Sequence, residues 1–264
     1  MADQNGNFIW YELLTPDPDS AKAFYDAVVG WDIEPQPAGP LDYRMIRRGD
    51  GGDAGGVMRL MANKQAGGAR PVWLGYLPVE DVDATIAAIK SDGGQVHMPA
   101  TDMAGVGRIA MVTDPAGAAF YIMRPVPPEG QPDAVSDVFS VDRPQHVRWN
   151  ELTTSDPGGA VNFYRRHFGW SQEGSMPMGE LGDYRFLQDG DVGIGAIMGL
   201  IPPNTRPQWS YYFGVEDIDR AAETIRSAGG TITAEPMEIP GGEYSLSAID
   251  PQGTSFGLVG PRKA

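Results

Sequence analysis

The strongest constraint on this chain is that it contains itself twice. The stretch Trp10–Trp31, WYELLTPDPDSAKAFYDAVVGW, returns as Trp149–Trp170, WNELTTSDPGGAVNFYRRHFGW. Half of the aligned positions are identical. The run from Val79, VEDVDATI, returns from Val215 as VEDIDRAA, 136 positions later (215 − 79). Gly93-Gly94 matches Gly229-Gly230, and Asp114-Pro115-Ala116-Gly117 matches Asp250-Pro251-Gln252-Gly253, at that same offset. A repeat of this length is a whole domain rather than a solenoid unit. The 264 residues agree, since domains run to about 100–200 residues. The expected organisation is domain 1 over 1–125, a linker over 126–145 and domain 2 over 146–264. The linker stretch is rich in proline and polar residues, although Val135–Val141 could pair as an edge strand.

Each copy itself contains two similar halves. The first opens with a strand at Phe8–Leu14, matched by Val147–Thr153. Asp17-Pro18 and Asp156-Pro157 then read as helix N-cap and first helical residue, because proline presets φ where no N–H is needed. These helices stop at Gly30 and Gly169. Strands follow at Tyr43–Arg47 and Gly56–Leu60, and at Tyr184–Leu187 and Val192–Met198. In the second half, strand Val72–Val79 leads to helix Val82–Asp92, closed by Gly93-Gly94 as a glycine cap. Strands Gln95–Met98, Arg108–Thr113 and Ala119–Met123 complete it, with Asp114-Pro115-Ala116-Gly117 as a turn. The pattern β-α-β-β-β occurs four times. One helix per three or four strands gives an α+β fold with helices on one sheet face.

Composition excludes several function classes. There are no cysteines, hence no disulfide framework, thiolate nucleophile or Cys-ligated metal. Twenty Lys and Arg against 35 Asp and Glu give a net charge of −15, which disfavours nucleic acid and anionic membranes. No apolar run approaches the roughly 18–20 residues needed to cross a bilayer. The first residues, MADQNGNFIWYELL, lack the charged and apolar regions of a signal peptide. A cytoplasmic protein is expected. There is no GxSxG elbow, and Gly51–Gly56 lacks the Lys-Ser/Thr of a phosphate loop.

Phe24-Tyr25 with Gly30-Trp31, Val79-Glu80-Asp81-Val82-Asp83 and Asp114-Pro115-x-Gly117 occur in order, and their counterparts recur at Phe163-Tyr164, Gly169-Trp170, Val215–Asp219 and Asp250–Gly253. This succession resembles the vicinal oxygen chelate superfamily of glyoxalases, bleomycin-resistance proteins and extradiol dioxygenases, in particular its two-domain bacterial glyoxalase-like branch. The resemblance implies four βαβββ modules in two tandem glyoxalase-like domains, their sheets forming U shapes around clefts. It also implies metal ligands on the first strand of each module and on the last strand. Those positions carry Trp10, Leu74 and Tyr121 in copy one, and Trp149, Ser210 and Gly257 in copy two. Indole, isobutyl and glycine hold no divalent metal, and neutral Ser and Tyr hold one poorly. No catalytic metal and no cofactor are therefore expected. His167 reads as lying on a solvated helix face beside Arg165 and Arg166, His146 as linker edge and His97 as a strand end.

Alternation along a strand puts Trp10, Glu12 and Leu14 on one face, and Trp149, Glu151 and Thr153 on another. If Trp10 fills the old ligand position, Glu12 also faces the cleft. A half-buried Glu needs a partner. Glu12 and Glu151 could act as general bases, their pKa raised by burial, or could grip a cationic or hydroxyl-bearing ligand. They could instead be structural, held by Arg44, Arg185 or backbone N–H groups. Tyr76 and Tyr212 should face the same clefts, Tyr121 fills its slot in copy one only, and Trp73 and Trp209 read as core. Copy two looks roomier, with Ser210 and Gly257 against Leu74 and Tyr121. The favoured reading is a metal-independent protein that binds a small organic molecule in a Trp/Tyr/Glu-lined cleft. Two alternatives stay open: a lyase or isomerase acting on a small carbonyl compound with a Glu base, and sequestration of a drug or toxic metabolite. A monomer is expected, with a dimer left open.

Overall fold

The structure is a computed structural model that describes residues 7–127, 129–131, 134–202 and 205–263. Residues 1–6, the start of the stretch read above for a leader, and residues 128, 132 and 133 of the expected linker lie outside it.

Each repeat forms an eight-stranded sheet. Copy one holds β1 (Trp10–Thr15), α1 (Pro18–Val29), β2 (Asp32–Ile33), β3 (Tyr43–Arg47), β4 (Asp53–Arg59), α2 (Ala62–Ala66), β5 (Val72–Pro78), α3 (Val82–Ser91), β6 (Gln95–Met103), β7 (Gly107–Thr113) and β8 (Ala119–Pro125). Copy two holds β9 (Val147–Thr154), α4 (Pro157–Phe168), β10 (Ser171–Pro177), β11 (Asp183–Asp189), β12 (Val192–Gly199), β13 (Gln208–Gly214), α5 (Ile218–Ser227), β14 (Thr231–Glu238), β15 (Tyr244–Ile249) and β16 (Ser255–Gly260). The strand orders are β2-β3-β4-β1-β5-β8-β7-β6 and β10-β11-β12-β9-β13-β16-β15-β14. The βαβββ order occurs four times, as expected. The strands β2 and β10 complete the pattern at places for which the sequence reading gave no bounds, and the helix α2 was not expected. The expected edge strand at Val135–Val141 reduces to one bridge, Phe139 with Val147.

The helices start and stop where local chemistry dictates. Asp17 accepts from Ser20 N at 3.2 Å, with Pro18 in the first turn, and α1 ends at Gly30 with φ +83°. Asp156 accepts from Gly159 N at 2.9 Å, and α4 ends at Gly169 with φ +76°. These caps satisfy N–H groups that a helix start leaves orphaned. The left-handed closing residues suit glycine, which has no Cβ to clash.

Packing divides the chain into two compact units. Unit 1 comprises Met1–Ile9, Gly75–Ser136 and Asn150–Trp209, and unit 2 comprises Trp10–Leu74, Asp137–Trp149 and Ser210–Ala264. Each unit draws on both repeats. In unit 2 the buried Tyr25 hydroxyl donates to Asp250 Oδ2 at 3.1 Å and accepts from Trp73 Nε1 at 3.0 Å. Phe213 lies 4.9 Å from Trp73 and 4.8 Å from Trp31, ring to ring. Unit 1 repeats the arrangement: the Tyr164 hydroxyl reaches Asp114 Oδ2 at 3.4 Å and accepts from Trp209 Nε1 at 3.0 Å. Trp170 stacks on Tyr164 at 5.2 Å. Aromatic pairs of this kind add about 0.5–1.5 kcal/mol beyond their burial. Trp73 and Trp209 are thus core residues, as their strand positions implied.

The Asp-Pro-x-Gly turns have a second use. Asp250 Oδ1 accepts from Gln252 N at 2.9 Å and Thr254 N at 2.8 Å, which closes the turn. Its other oxygen takes the Tyr25 hydroxyl. Asp114 does the same with Gly117 N, Ala118 N and Tyr164, and burial nonetheless pushes its carboxyl above the usual range.

Candidate functional site

In unit 2, alternation along β1 separates two environments. Tyr11, Leu13 and Thr15 are fully buried, while Trp10 and Leu14 are only half-buried. Glu12 shares the face of Trp10 and Leu14 but is 3 % exposed. It pairs across to Gly56 on β4. A Cβ at Gly56 would meet the Tyr43 hydroxyl oxygen at 2.1 Å. Glycine is therefore what lets Tyr43 lie across β4, where its hydroxyl accepts from Trp10 Nε1 at 2.7 Å.

Arg44, the arginine considered as a partner for Glu12, points elsewhere. It donates to Asp19 Oδ1 at 2.6 Å and to Asp42 Oδ1 at 3.0 Å. Residues 43 and 44 alternate faces on β3, so the tyrosine and not the arginine serves the Trp10 side.

In unit 1, Glu151 is half-buried and opposite Ala196. Its Oε2 accepts from the Tyr184 hydroxyl at 2.8 Å. A hydrogen bond to a charged acceptor is among the stronger neutral-donor contacts. Phe186 extends the surface, 5.8 Å from Tyr184, ring to ring. Here too the predicted arginine, Arg185, gives way to its tyrosine neighbour. The repeated Tyr-Arg dipeptide, Tyr43-Arg44 and Tyr184-Arg185, is the sequence signal for these residues.

The aromatic positions differ between copies. In unit 1, Tyr76 pairs with Tyr121, and the rings stack at 4.3 Å and 15°. Both are closed off, 6 % and 5 % exposed, while Leu74, the third residue of β5 and part of unit 2, is 1 % exposed. In unit 2, Tyr212 pairs with Gly257. A Cβ on Gly257 would meet three Tyr212 ring atoms at 2.3–2.5 Å, so the ring covers the space left by the missing side chain. Its hydroxyl lies 3.4 Å from Ser247 Oγ. Ser210 and Tyr212 are half-buried, as is Trp149. Ser210 and Tyr212 are thus more accessible than their copy-one counterparts Leu74 and Tyr76, although Tyr212 itself fills the room that Gly257 was expected to provide.

The residues at the family's ligand positions do not fit a divalent ion. Trp10 commits its only polar atom to Tyr43, Leu74 is hydrocarbon, and Tyr121 is engaged in stacking. Among the described residues no three His, Asp or Glu side chains converge. Two histidines, His167 and His97, sit differently from expectation. His167 is not solvated: its side chain is 5 % exposed and its Nε2 lies 2.8 Å from Asp92 Oδ2, because Asp92, at the C-cap of α3, covers it within unit 1. His146 is buried, with Nδ1 2.8 Å from Pro144 O. His97 lies exposed within β6 rather than at a strand end.

Among the described residues the longest helices have 12 residues, and no helix is long and apolar enough to cross a membrane.

Known proteins share both the sequence and the fold. A putative glyoxylase, CFP32, of Mycobacterium bovis is 34% identical, covering 96% of this chain and 94% of its own. The anthracycline biosynthesis protein DauV of Streptomyces sp. (strain C5) is 29% identical, covering 97% and 93%. Among solved structures, the Mn(II)-bound glyoxalase from Novosphingobium aromaticivorans superposes with a TM-score of 0.65 at 17% identity, over 98% of this chain and 83% of that one. The 2,3-dioxygenase LapB from Pseudomonas sp. KL28 gives 0.62 at 12% identity, over 97% and 92%. At these identities the solved structures establish the fold alone. The model of the Glyoxalase/Bleomycin resistance protein/Dioxygenase superfamily matches residues 7–122 and again 143–258, and with both repeats matched the chain belongs to that superfamily.

Proposed function

We propose that this protein binds a small, partly aromatic organic molecule without a metal, and that the working surface belongs to copy two. The carrying observation is the half-buried Glu151 held at 2.8 Å by the Tyr184 hydroxyl, beside Phe186. A carboxylate set among aromatic rings can accept hydrogen bonds from ligand hydroxyls while the rings bury the apolar body. Trp149, Ser210 and Tyr212 are half-buried within unit 2 and form a separate set of accessible copy-two positions. Glu12, the copy-one counterpart of Glu151, lies in unit 2 and is more closed, 3 % exposed. That two relatives at 28–29% identity are named as anthracycline biosynthesis proteins supports a planar aromatic ligand. The acidic charge supports a partner that is neither nucleic acid nor anionic membrane, and we take the protein as a cytoplasmic monomer.

The test uses a hydroxyanthraquinone as probe, titrated against wild type, Glu151→Gln and Glu12→Gln. A hydrogen bond to a charged group contributes about 1.5–3 kcal/mol, so Glu151→Gln should weaken binding about tenfold or more, and Glu12→Gln less. Equal affinity in wild type and Glu151→Gln would sink the assignment. A second reading, proton abstraction next to a carbonyl by Glu151, is favoured by the same Tyr184 contact, which orients the carboxylate. It requires turnover of a small carbonyl substrate that Glu151→Gln abolishes while ligand affinity persists.

A further inference from the structure

The two copies differ at the sheet edge beside their paired tyrosines, Tyr43 and Tyr184. In copy one the positions eight and six before Tyr43 (43 − 35 and 43 − 37) are Pro35 and Pro37. Proline has no N–H to give to a ladder, and β2 joins β3 only through Asp32 with Arg47 and Ile33 with Ile46. In copy two the positions eight and six before Tyr184 (184 − 176 and 184 − 178) are Met176 and Met178. There β10 runs on to Pro177, and Met176 lies directly opposite Tyr184.

Register puts Met176 on the face that carries Glu151. Residues directly opposite on neighbouring strands share a face, and so do residues two apart on one strand. Met176 is opposite Tyr184, Tyr184 is two residues from Phe186, Phe186 is opposite Ala196, and Ala196 is opposite Glu151. All five belong to unit 1. The Tyr184 hydroxyl reaches Glu151 two strands away on β9, so its ring leans away from β10. Met176 is left 39 % exposed, at the outer end of an aromatic floor made by Tyr184 and Phe186. Edge strands commonly carry charge that keeps other chains off. An unbranched thioether is instead a flexible, polarisable group that packs well against aromatic rings. Neighbouring strands lie about 4.8 Å apart, so β9 and β10, three spacings apart in the sheet order, are separated by roughly 14 Å. A single ring held at the carboxylate is too short to touch Met176 as well, whereas a flat system of three fused rings spans the floor.

We infer that Met176 is a ligand-contacting residue that selects extended, fused-ring aromatic molecules over single rings, the ligand lying along Tyr184 and Phe186 from Glu151 to the β10 edge. The inference deepens the proposed function and rests on it: Glu151 and Tyr184 hold a ring hydroxyl, and Met176 sets how long an aromatic body is preferred. Copy one, with Pro35 at the corresponding place, has no thioether there.

The experiment titrates two probes, a hydroxyanthraquinone and phenol, into the full chain labelled with ¹³C at its methionine methyls. The Met176 signal is assigned by its disappearance in Met176→Leu. The anthraquinone should move that signal, phenol should not, and Met237, 67 % exposed in unit 2, should stay still with both. Met176→Ala should weaken the anthraquinone about threefold or more, the scale of one lost thioether–ring contact with its burial, and leave phenol unchanged. If Met176→Ala does not fold, the methyl signal of the wild type decides alone. Anthraquinone binding that leaves the Met176 methyl unmoved overturns this inference, and if Glu151→Gln still weakens that binding the aromatic-binding reading stands. An equal loss of affinity for both probes in Met176→Ala overturns it too. Binding of neither probe removes the aromatic-binding reading and this inference with it.

Discussion

Replacing Tyr25 by Phe removes one oxygen from the centre of unit 2 and leaves two buried groups without it. Trp73 Nε1 loses its acceptor at 3.0 Å, and Asp250 Oδ2 loses its donor at 3.1 Å. The ring contacts remain, because phenylalanine keeps the ring. Tyr25, Trp73 and Asp250 are all at most 4 % exposed, so water offers little compensation. An unsatisfied buried donor or acceptor costs about 1–3 kcal/mol, more when charged. The sum for two groups, reduced for local relaxation, is about 3 kcal/mol, which lowers Tm by roughly 6–12 °C for a chain of this size. Tyr164→Phe in unit 1 removes a similar pair, but its contact to Asp114 is longer, 3.4 Å, so it should cost less. Urea unfolding of both variants gives the two values, and a cycle adding Trp73→Phe to Tyr25→Phe should show coupling above about 0.5 kcal/mol. A Tyr25→Phe loss under 1 kcal/mol, or a larger loss for Tyr164→Phe, would refute the reasoning.

Three further outcomes follow from the geometry. Gly56→Ala puts a methyl 2.1 Å from the Tyr43 oxygen, so it should break the bond to Trp10 and cost about 1–3 kcal/mol as an overpacked site does; an unchanged urea midpoint would contradict this. Burial, reinforced by Arg48 and Arg143, holds the His146 imidazole below its usual 6.5, while Pro144 O and Asp50 act the other way. The unfolded chain then takes the proton first, so His146's stabilising contribution is complete above about pH 6.5 and is lost as the pH falls toward the folded-state value. His146→Gln should flatten that part of the stability profile, and a profile as steep as wild type would count against the account. Asp92→Asn removes the carboxylate 2.8 Å from His167 Nε2 and 2.6 Å from Arg166 Nη1; a melting temperature unchanged to within a degree would show that the buried contact contributes nothing.

Local features were legible in the sequence because local chemistry sets them. Asp17-Pro18 and Asp156-Pro157 cap their helices, Gly30 and Gly169 end them, and Tyr43–Arg47 is a strand to the residue. What depended on alignment of several strands was not legible. Tyr43 reaches Trp10 only because Gly56 intervenes on β4, a relation fixed by the register of three strands. The tyrosine partner of Glu151 likewise lies 33 positions away. His167 reads as exposed beside two arginines, and only the placement of Asp92, 75 positions earlier, buries it. The second role of Asp114 and Asp250 was hidden for the same reason: a turn signal is local, but the tyrosine that takes the spare oxygen belongs to the other repeat. Family motifs carried the fold, since they mark turns and core aromatics. They said least about the site, since the resemblance only marks Trp10, Trp149, Leu74 and Ser210 as positions where relatives would place ligands.

The central claim is that aromatic ligand binding at Glu151 and Tyr184 needs no metal. Its most direct test is the affinity of the hydroxyanthraquinone for protein stripped by a chelator, measured together with the metal content of the same sample. The account predicts unchanged affinity at less than about 0.1 metal ion per chain, since the binding groups it names are carboxylate, phenol and aromatic rings. Loss of binding on stripping, restored by one equivalent of a divalent ion, would contradict it.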